Sequence, residues 1–329
     1  MPKQGSINIY TIIVQIPTFS DIQSAYLKIQ NKVHRTPVLS SQKVNERAGG
    51  GELFFKCENF QKIGAFKFRG ATHAVGELSD NNAQNGVATH SSGNHAQAVA
   101  LAAKLRGIPA HIVMPKNAPG VKVRAVRDYG ANITFCNPTQ EAREATLEEV
   151  VAETGATFIH PYDNLDIIMG QGTAALELLE EHPKLDMLLA PVGGGGLMSG
   201  SAIAASGLAA YTKVIGTEPE IANDAYLSFN SGELYPVQST NTVADGLRTS
   251  LSELTFSCIQ KHVDDIITVK EQEIIDTMRF VWERMKIIIE PSSAVPVAAA
   301  FNHIDTHDQQ VGIIISGGNM DLDHLPWMK

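Results

Sequence analysis

The sequence predicts an α/β protein with two open parallel-sheet domains, and three observations carry that expectation. Short β-rich runs alternate with helical patterns, as in "GVATH" (86–90), "AHIVMP" (110–115) and "ANITFC" (131–136). Polar or glycine-rich loops, "HSSGNH", "PVGGGGLMSG" and "SGGN", follow strand-like runs, at the edge where such sheets bind ligands. At 329 residues the chain exceeds one minimal core and suits two lobes sharing a cleft.

Taken in order, the strand 86–90 leads to a helix over 95–106, the strand 110–115 to a helix near 119–129, and the strand 131–136 to a helix near 140–154. "TFIHP" (157–161) closes this block, and 80–162 reads as a small substrate-gripping domain. A second series runs through a helix from Gln171, the strand "MLLAPV", a helix from Leu197 and the strand "KVIGTEP" (213–219). Helices near 271–286 and 293–302 precede "GIIISGG" (312–318), the expected last strand. Residues 1–79 and 163–329 thus form one larger, discontinuous domain.

Composition narrows the function. The chain is 43% hydrophobic and 19% charged, as in a soluble globular protein. A net charge of −9 without a compensating basic run argues against nucleic acid or a membrane surface as partner. The uncharged stretch 187–210 is broken by glycines and a proline, which suit a buried strand, turn and small-residue helix better than a membrane span. "INIYTIIVQI" lacks the basic start and cleavage site of a signal peptide. Cys57, Cys136 and Cys258 match no metal or redox spacing and read as buried thiols of a cytoplasmic protein.

Two motifs carry chemistry. Gly193, Gly194, Gly195 and Gly196 expose backbone N–H groups directly before a helix, a turn able to surround a phosphate. A tight strand-to-helix turn would seldom need four glycines, and neither the P-loop nor the dinucleotide fingerprint fits. In "KIGAFKFRGA", Lys67 stands between Phe66 and Phe68 with Arg69 following; an apolar setting and that neighbouring cation would both depress its pKa. A solvated lysine is the ordinary alternative for any lone lysine. A nucleophilic amine and an anion cradle without a nucleotide motif together point to a phosphorylated aldehyde, pyridoxal phosphate.

"GAFKFRGA", "HSSGNHAQAVALAAKL", "GQGT", "PVGGGGLMSG" and "IISGGN" resemble the signature segments of fold-type II pyridoxal phosphate enzymes, with a tryptophan synthase β-like fold. From about Thr36 to Leu322 the chain is most similar to the serine racemase and serine/threonine dehydratase group. The resemblance implies that Lys67 holds the cofactor covalently and then takes the substrate Cα proton. Phe66 would pack on the ring, Gly193–Gly196 would hold the phosphate, Asn94 the phenolic oxygen and Ser316 the pyridine nitrogen. Ser91, Asn94 and His95 would grip the substrate carboxylate, although the same loop would also serve as a helix cap. Ser92 matches the residue that faces Cα opposite the lysine in the racemases.

Within the same resemblance, Glu218, the carbonyl of Ala222 and Asp224 match a divalent-cation site suited to Mg²⁺, Ca²⁺ or Mn²⁺. Arg143 and Asp245 match cleft residues that some racemases and hydroxyaspartate dehydratases use around the substrate, or are ion-pair members. Tyr162 stands where vertebrate-type racemases carry asparagine, in the pattern of dehydratases, and argues against efficient racemisation. The expected activity is deamination of L-serine or L-threonine to a 2-oxo acid and ammonia, with some serine racemisation, in a homodimer. A 3-hydroxyaspartate dehydratase, a predominant serine racemase, a β-replacement synthase and a catalytically silent sensor are the alternatives.

Overall fold

A computed structural model describes residues 14–118 and 120–328; most of "INIYTIIVQI" falls outside them. The strands are β1 (Val38–Leu39), β2 (Glu52–Cys57), β3 (Val87–His90), β4 (Ala110–Pro115), β5 (Asn132–Cys136), β6 (Thr157–Phe158), β7 (Met187–Pro191), β8 (Lys213–Pro219), β9 (Asp265–Val269) and β10 (Gln310–Ile315). Six form one sheet in the order β1-β2-β10-β7-β8-β9, and four form a second in the order β5-β4-β3-β6. Every pairing is parallel except that of β1 with β2, an antiparallel edge.

Helices cover both faces of each sheet, so inner strands such as "MLLAP" are apolar throughout. Alternate residues of β7 feed opposite layers: Leu188 and Ala190 pack with Leu176 and Leu197, whereas Met187 and Leu189 pack with Val297 and Ala298. The small sheet repeats this, with Ile112 and Met114 on one face and Val113 on the other.

The helix Lys67–Glu77 lies between the sheets. Phe68, Ala71, Ala74 and Val75 join the core of the four-stranded sheet. Its other side meets the helix Leu165–Glu181, where a Cβ on Gly170 would stand 2.6 Å from Gly70 Cα. Only glycines allow that approach. The boundary of the small lobe at 80–162 remains our proposal, and its core borrows residues from this preceding helix.

Two expectations need correction. The helix expected from Gln171 starts at Leu165, because Asn164 Oδ1 accepts from Ile167 N at 3.0 Å and caps it. Gly170 and Gly172 lie inside it and serve helix packing. The strand expected over 157–161 pairs only through Phe158. Beyond it, His160 Nδ1 accepts from Asp163 N at 2.8 Å and folds the chain into a turn.

Candidate active site

Lys67 is the first residue of its helix. Burial drives its pKa down to about 8, against the attraction of Glu290. A site at the positive end of the helix dipole acts in the same direction. The amine donates to Pro161 O at 2.8 Å and lies 5.2 Å from the centroid of the Phe66 ring. The expected role of Arg69 in lowering that pKa is not supported. Arg69 is buried on the far side, bonded by Nε and Nη2 to Glu58 at 2.7 and 2.8 Å and by Nη1 and Nη2 to Glu177 at 2.9 and 2.8 Å. Phe68 likewise turns into the core, and only Phe66 accompanies the amine.

Three chain crossings converge on Lys67. Phe66 N donates to Ser316 O at 2.9 Å, which brings the end of β10 alongside. Ser316 Oγ is buried, 3.0 Å from Ser293 Oγ, and Ser293 also bonds both sides of Gly317. Ile63, at φ 61° in a region a β-branched residue rarely enters, has its carbonyl held by Asn319 Nδ2 at 2.7 Å.

The loop after β3 supplies the polar side chains. Ser91 Oγ accepts from Gly93 N at 3.2 Å, and Ser92 is half-buried beside it. Asn94 Nδ2 donates to both oxygens of Glu290, at 3.0 and 3.1 Å, while Asn94 Oδ1 accepts from Asn319 Nδ2 at 2.8 Å. Asn94 is thereby clamped across the cleft. His95 Nε2 lies 2.9 Å from Ile159 O, and its buried Nδ1 has no partner; burial and the Lys67 charge hold its pKa well below the usual value.

At the glycine turn, Gly195 is left-handed at φ 84° and caps the helix Gly196–Leu208. The first helical bond runs from Ser199 N to Gly195 O, so Gly196, Leu197 and Met198 present unpaired N–H groups. A Cβ at Gly194 would strike the Tyr162 ring at 2.2 Å, and one at Gly195 would meet Leu251 at 2.7 Å. The loop is close-packed, with Tyr162 lying over it. Arg143 is half-buried with an unpartnered Nε, and Asp245 pairs with Lys122.

Sequence reasoning missed Glu290, Asn319 and Lys122. Burial and repulsion by Asp245 lift the Glu290 carboxyl to about 7. Asn319 is the last residue of the "SGGN" motif, and Glu290 caps the helix Pro291–Asn302, with proline at its first position. Those were the available signals.

Comparison with known proteins agrees with this geometry. The pyridoxal-phosphate dependent enzyme family matches residues 29–317. The chain belongs to that family. It is 49% identical over 313 residues to a β-hydroxyaspartate dehydratase of Paracoccus denitrificans, covering 95% of this chain and 99% of that protein. It is 48% identical over 309 residues to an L-threo-3-hydroxyaspartate ammonia-lyase of Saccharomyces cerevisiae, covering 93% and 94%. The crystal structure of serine racemase from Dictyostelium discoideum superposes with a TM-score of 0.89 at 48% identity, over 93% of this chain and 99% of that one. Precise activity differs among these relatives.

The residues present fit the family's cofactor: a buried amine, a row of unpaired backbone N–H groups for phosphate and a buried hydroxyl at the end of β10. Two of the residues expected to hold a cation, Glu218 and Asp224, lie close together. Glu218 Oε1 and Oε2 accept from Ala225 N and Tyr226 N at 3.0 and 2.9 Å, while both buried oxygens of Asp224 have no partner. Burial and the Asp224 charge raise Glu218 to about 9, and burial raises Asp224 to about 7. Ala222 is buried in the turn between them.

Proposed function

We propose that this enzyme is a dehydratase of small β-hydroxy amino acids, releasing a 2-oxo acid and ammonia. The observation that carries the reading is the Lys67 amine, depressed to about 8 and set beside the ring of Phe66, whose backbone N donates to Ser316 O. With that pKa a useful fraction is uncharged near neutrality and can take a proton from Cα. Pyridoxal phosphate, held by Lys67 until the substrate amine replaces it and frees the lysine, would supply the electron sink, a mild one with the neutral Ser316 hydroxyl as ring-nitrogen partner.

The remaining residues orient the substrate. Ser91 and Asn94 receive its carboxylate at the N-terminus of the helix Asn94–Arg106, whereas His95, neutral and donating through Nε2 to Ile159 O, leaves Nδ1 an acceptor and so does not grip the carboxylate as expected. Gly193, Gly194, Gly195 and Gly196 hold the cofactor phosphate, and Tyr162 shields the turn from water. Ser92 is the second proton-bearing group and supports a serine racemase branch. L-Serine and L-threonine need no further contact. 3-Hydroxyaspartate carries a second carboxylate, and cations of the small lobe favour it, Arg143 with its orphaned Nε among them. Glu218, Ala222 and Asp224 hold Mg²⁺, with Ca²⁺ or Mn²⁺ as substitutes, because all are oxygen donors. Three free, buried cysteines suit a reducing cytoplasm, and we carry over the family's homodimer.

Ammonia and chiral product measured with L-serine, L-threonine and 3-hydroxyaspartate, with and without Mg²⁺, test the activity. Release from at least one substrate is expected, and none from any would refute it. Borohydride reduction and peptide mapping should place the cofactor on Lys67; a tag on another residue would overturn the site.

A further inference from the structure

An ion pair crosses the cleft at a point that the reading above leaves unused. Lys122 lies on the helix Gly120–Asp128 beside the four-stranded sheet, and Asp245 opens the turn Asp245–Leu247 against the six-stranded sheet. Nζ and Oδ2 are 2.5 Å apart, with side-chain exposures of 14% and 41%. Three observations set this pair over the reaction space. A Cβ at Gly93, in the carboxylate-gripping loop, would stand 3.9 Å from Lys122 Nζ. A Cβ at Gly193, in the phosphate cradle, would stand 2.9 Å from the carbonyl of Gly246, the residue after Asp245. Glu290, which holds Asn94, feels both charges, one repelling and one attracting.

We propose that Lys122 is a specificity-determining residue: it binds a carboxylate carried on the substrate β-carbon, and Asp245 holds the ammonium in place when the substrate has none. The inference rests on the dehydratase reading and narrows it to dicarboxylic hydroxy amino acids. In such a substrate the carbons that carry the two carboxylates are directly bonded, so the carboxyl carbons lie only three carbon–carbon bonds apart. With the first carboxylate at Ser91–Asn94, the second falls within reach of the flexible four-carbon stem of Lys122. The pair with Asp245 is partly exposed and therefore cheap to exchange, whereas the mostly buried ammonium is a strong partner for an anion entering the cleft. Serine and threonine, having one carboxylate, leave the pair intact.

The test compares wild type, Lys122→Gln and Lys122→Arg as holoenzymes. The ratio of kcat/KM for 3-hydroxyaspartate to that for L-serine should fall at least tenfold in Lys122→Gln, mainly through KM, and recover in part in Lys122→Arg. A ratio within twofold of wild type overturns the proposal, whether both activities drop or neither does. Succinate, which has two carboxylates and no amine to react, gives an independent reading by calorimetry. Its affinity should fall at least tenfold in Lys122→Gln; an unchanged affinity, or no binding to wild type, also overturns the proposal. If no hydroxy amino acid yields ammonia, the dehydratase reading fails and the succinate measurement alone decides Lys122. Should Lys122→Gln not fold, Asp245→Asn takes its place: removing the competing carboxylate should tighten succinate binding, and equal or weaker binding refutes the assignment.

Discussion

A positive charge is badly placed at the start of a helix and out of water, and the ring of Phe66 offsets only part of that cost, yet Lys67 stands there. Its position next to Phe66 was legible in the sequence. The effect of Arg69 was not, for a geometric reason. Residues two apart on an α-helix point about 200° away from each other, so Arg69 faces opposite Lys67. Glu290 escaped notice because 223 positions separate it from Lys67, and only folding makes the carboxylate a neighbour. Ser91 Oγ is engaged by Gly93 N, and our proposal gives the proton-bearing role to Ser92, the second hydroxyl of the loop. Ser92→Ala should therefore abolish D/L-serine interconversion, followed by chiral chromatography, while L-serine deamination continues. Equal loss of both would reject the opposite-face role.

Among elements, the joint between the helices Lys67–Glu77 and Leu165–Glu181 sets the position of the reactive lysine. Gly70 and Gly170 bring the backbones together, and a buried network of Lys56, Glu58, Arg69 and Glu177 locks them to β2. The two cations match the two carboxylates, Lys56 Nζ reaching Glu177 Oε2 at 2.6 Å and Thr36 O at 2.7 Å. Removing one member leaves a charge uncompensated away from water. Arg69→Met should cost about 3–5 kcal/mol of unfolding free energy, read from urea denaturation. A loss below about 1 kcal/mol would show that the network does not hold the joint. Element order was largely readable, because β7, β8 and β10 carry apolar runs between glycine-rich turns. The onset of the second helix was not, since glycines at 170 and 172 look like breakers until a partner helix is packed against them.

At the scale of the whole molecule, stability without a bound cation should depend on pH in a definite direction. Glu218 and Asp224 have folded-state values near 9 and 7, above their ordinary 4.5 and 3.8. The folded chain therefore retains protons that the unfolded chain releases, and stability falls as pH rises from about 4 towards 9. Chelator-treated protein should show a melting temperature that declines over that window more steeply than Mg²⁺-loaded protein, with the largest Mg²⁺ rescue at the alkaline end. Identical profiles with EDTA and with Mg²⁺ would remove the cation site. Glu218→Gln should flatten the chelated profile, since it removes the carboxyl with the larger shift.

Sequence by itself determined the class of fold, the cofactor family and the segments that meet at the cleft. Periodicity, glycine spacing and motif order are local properties, and each survives being read along a line. Tertiary structure decided which charges face the amine, which cations pair across the cleft and which lie buried in a neutral network. Arg69 and Lys122 look alike in the chain; one is sealed against Glu58 and Glu177, and the other reaches across the cleft to Asp245. Burial and long-range pairing govern that difference, because the energy of a charge depends on its surroundings rather than on its neighbours in sequence.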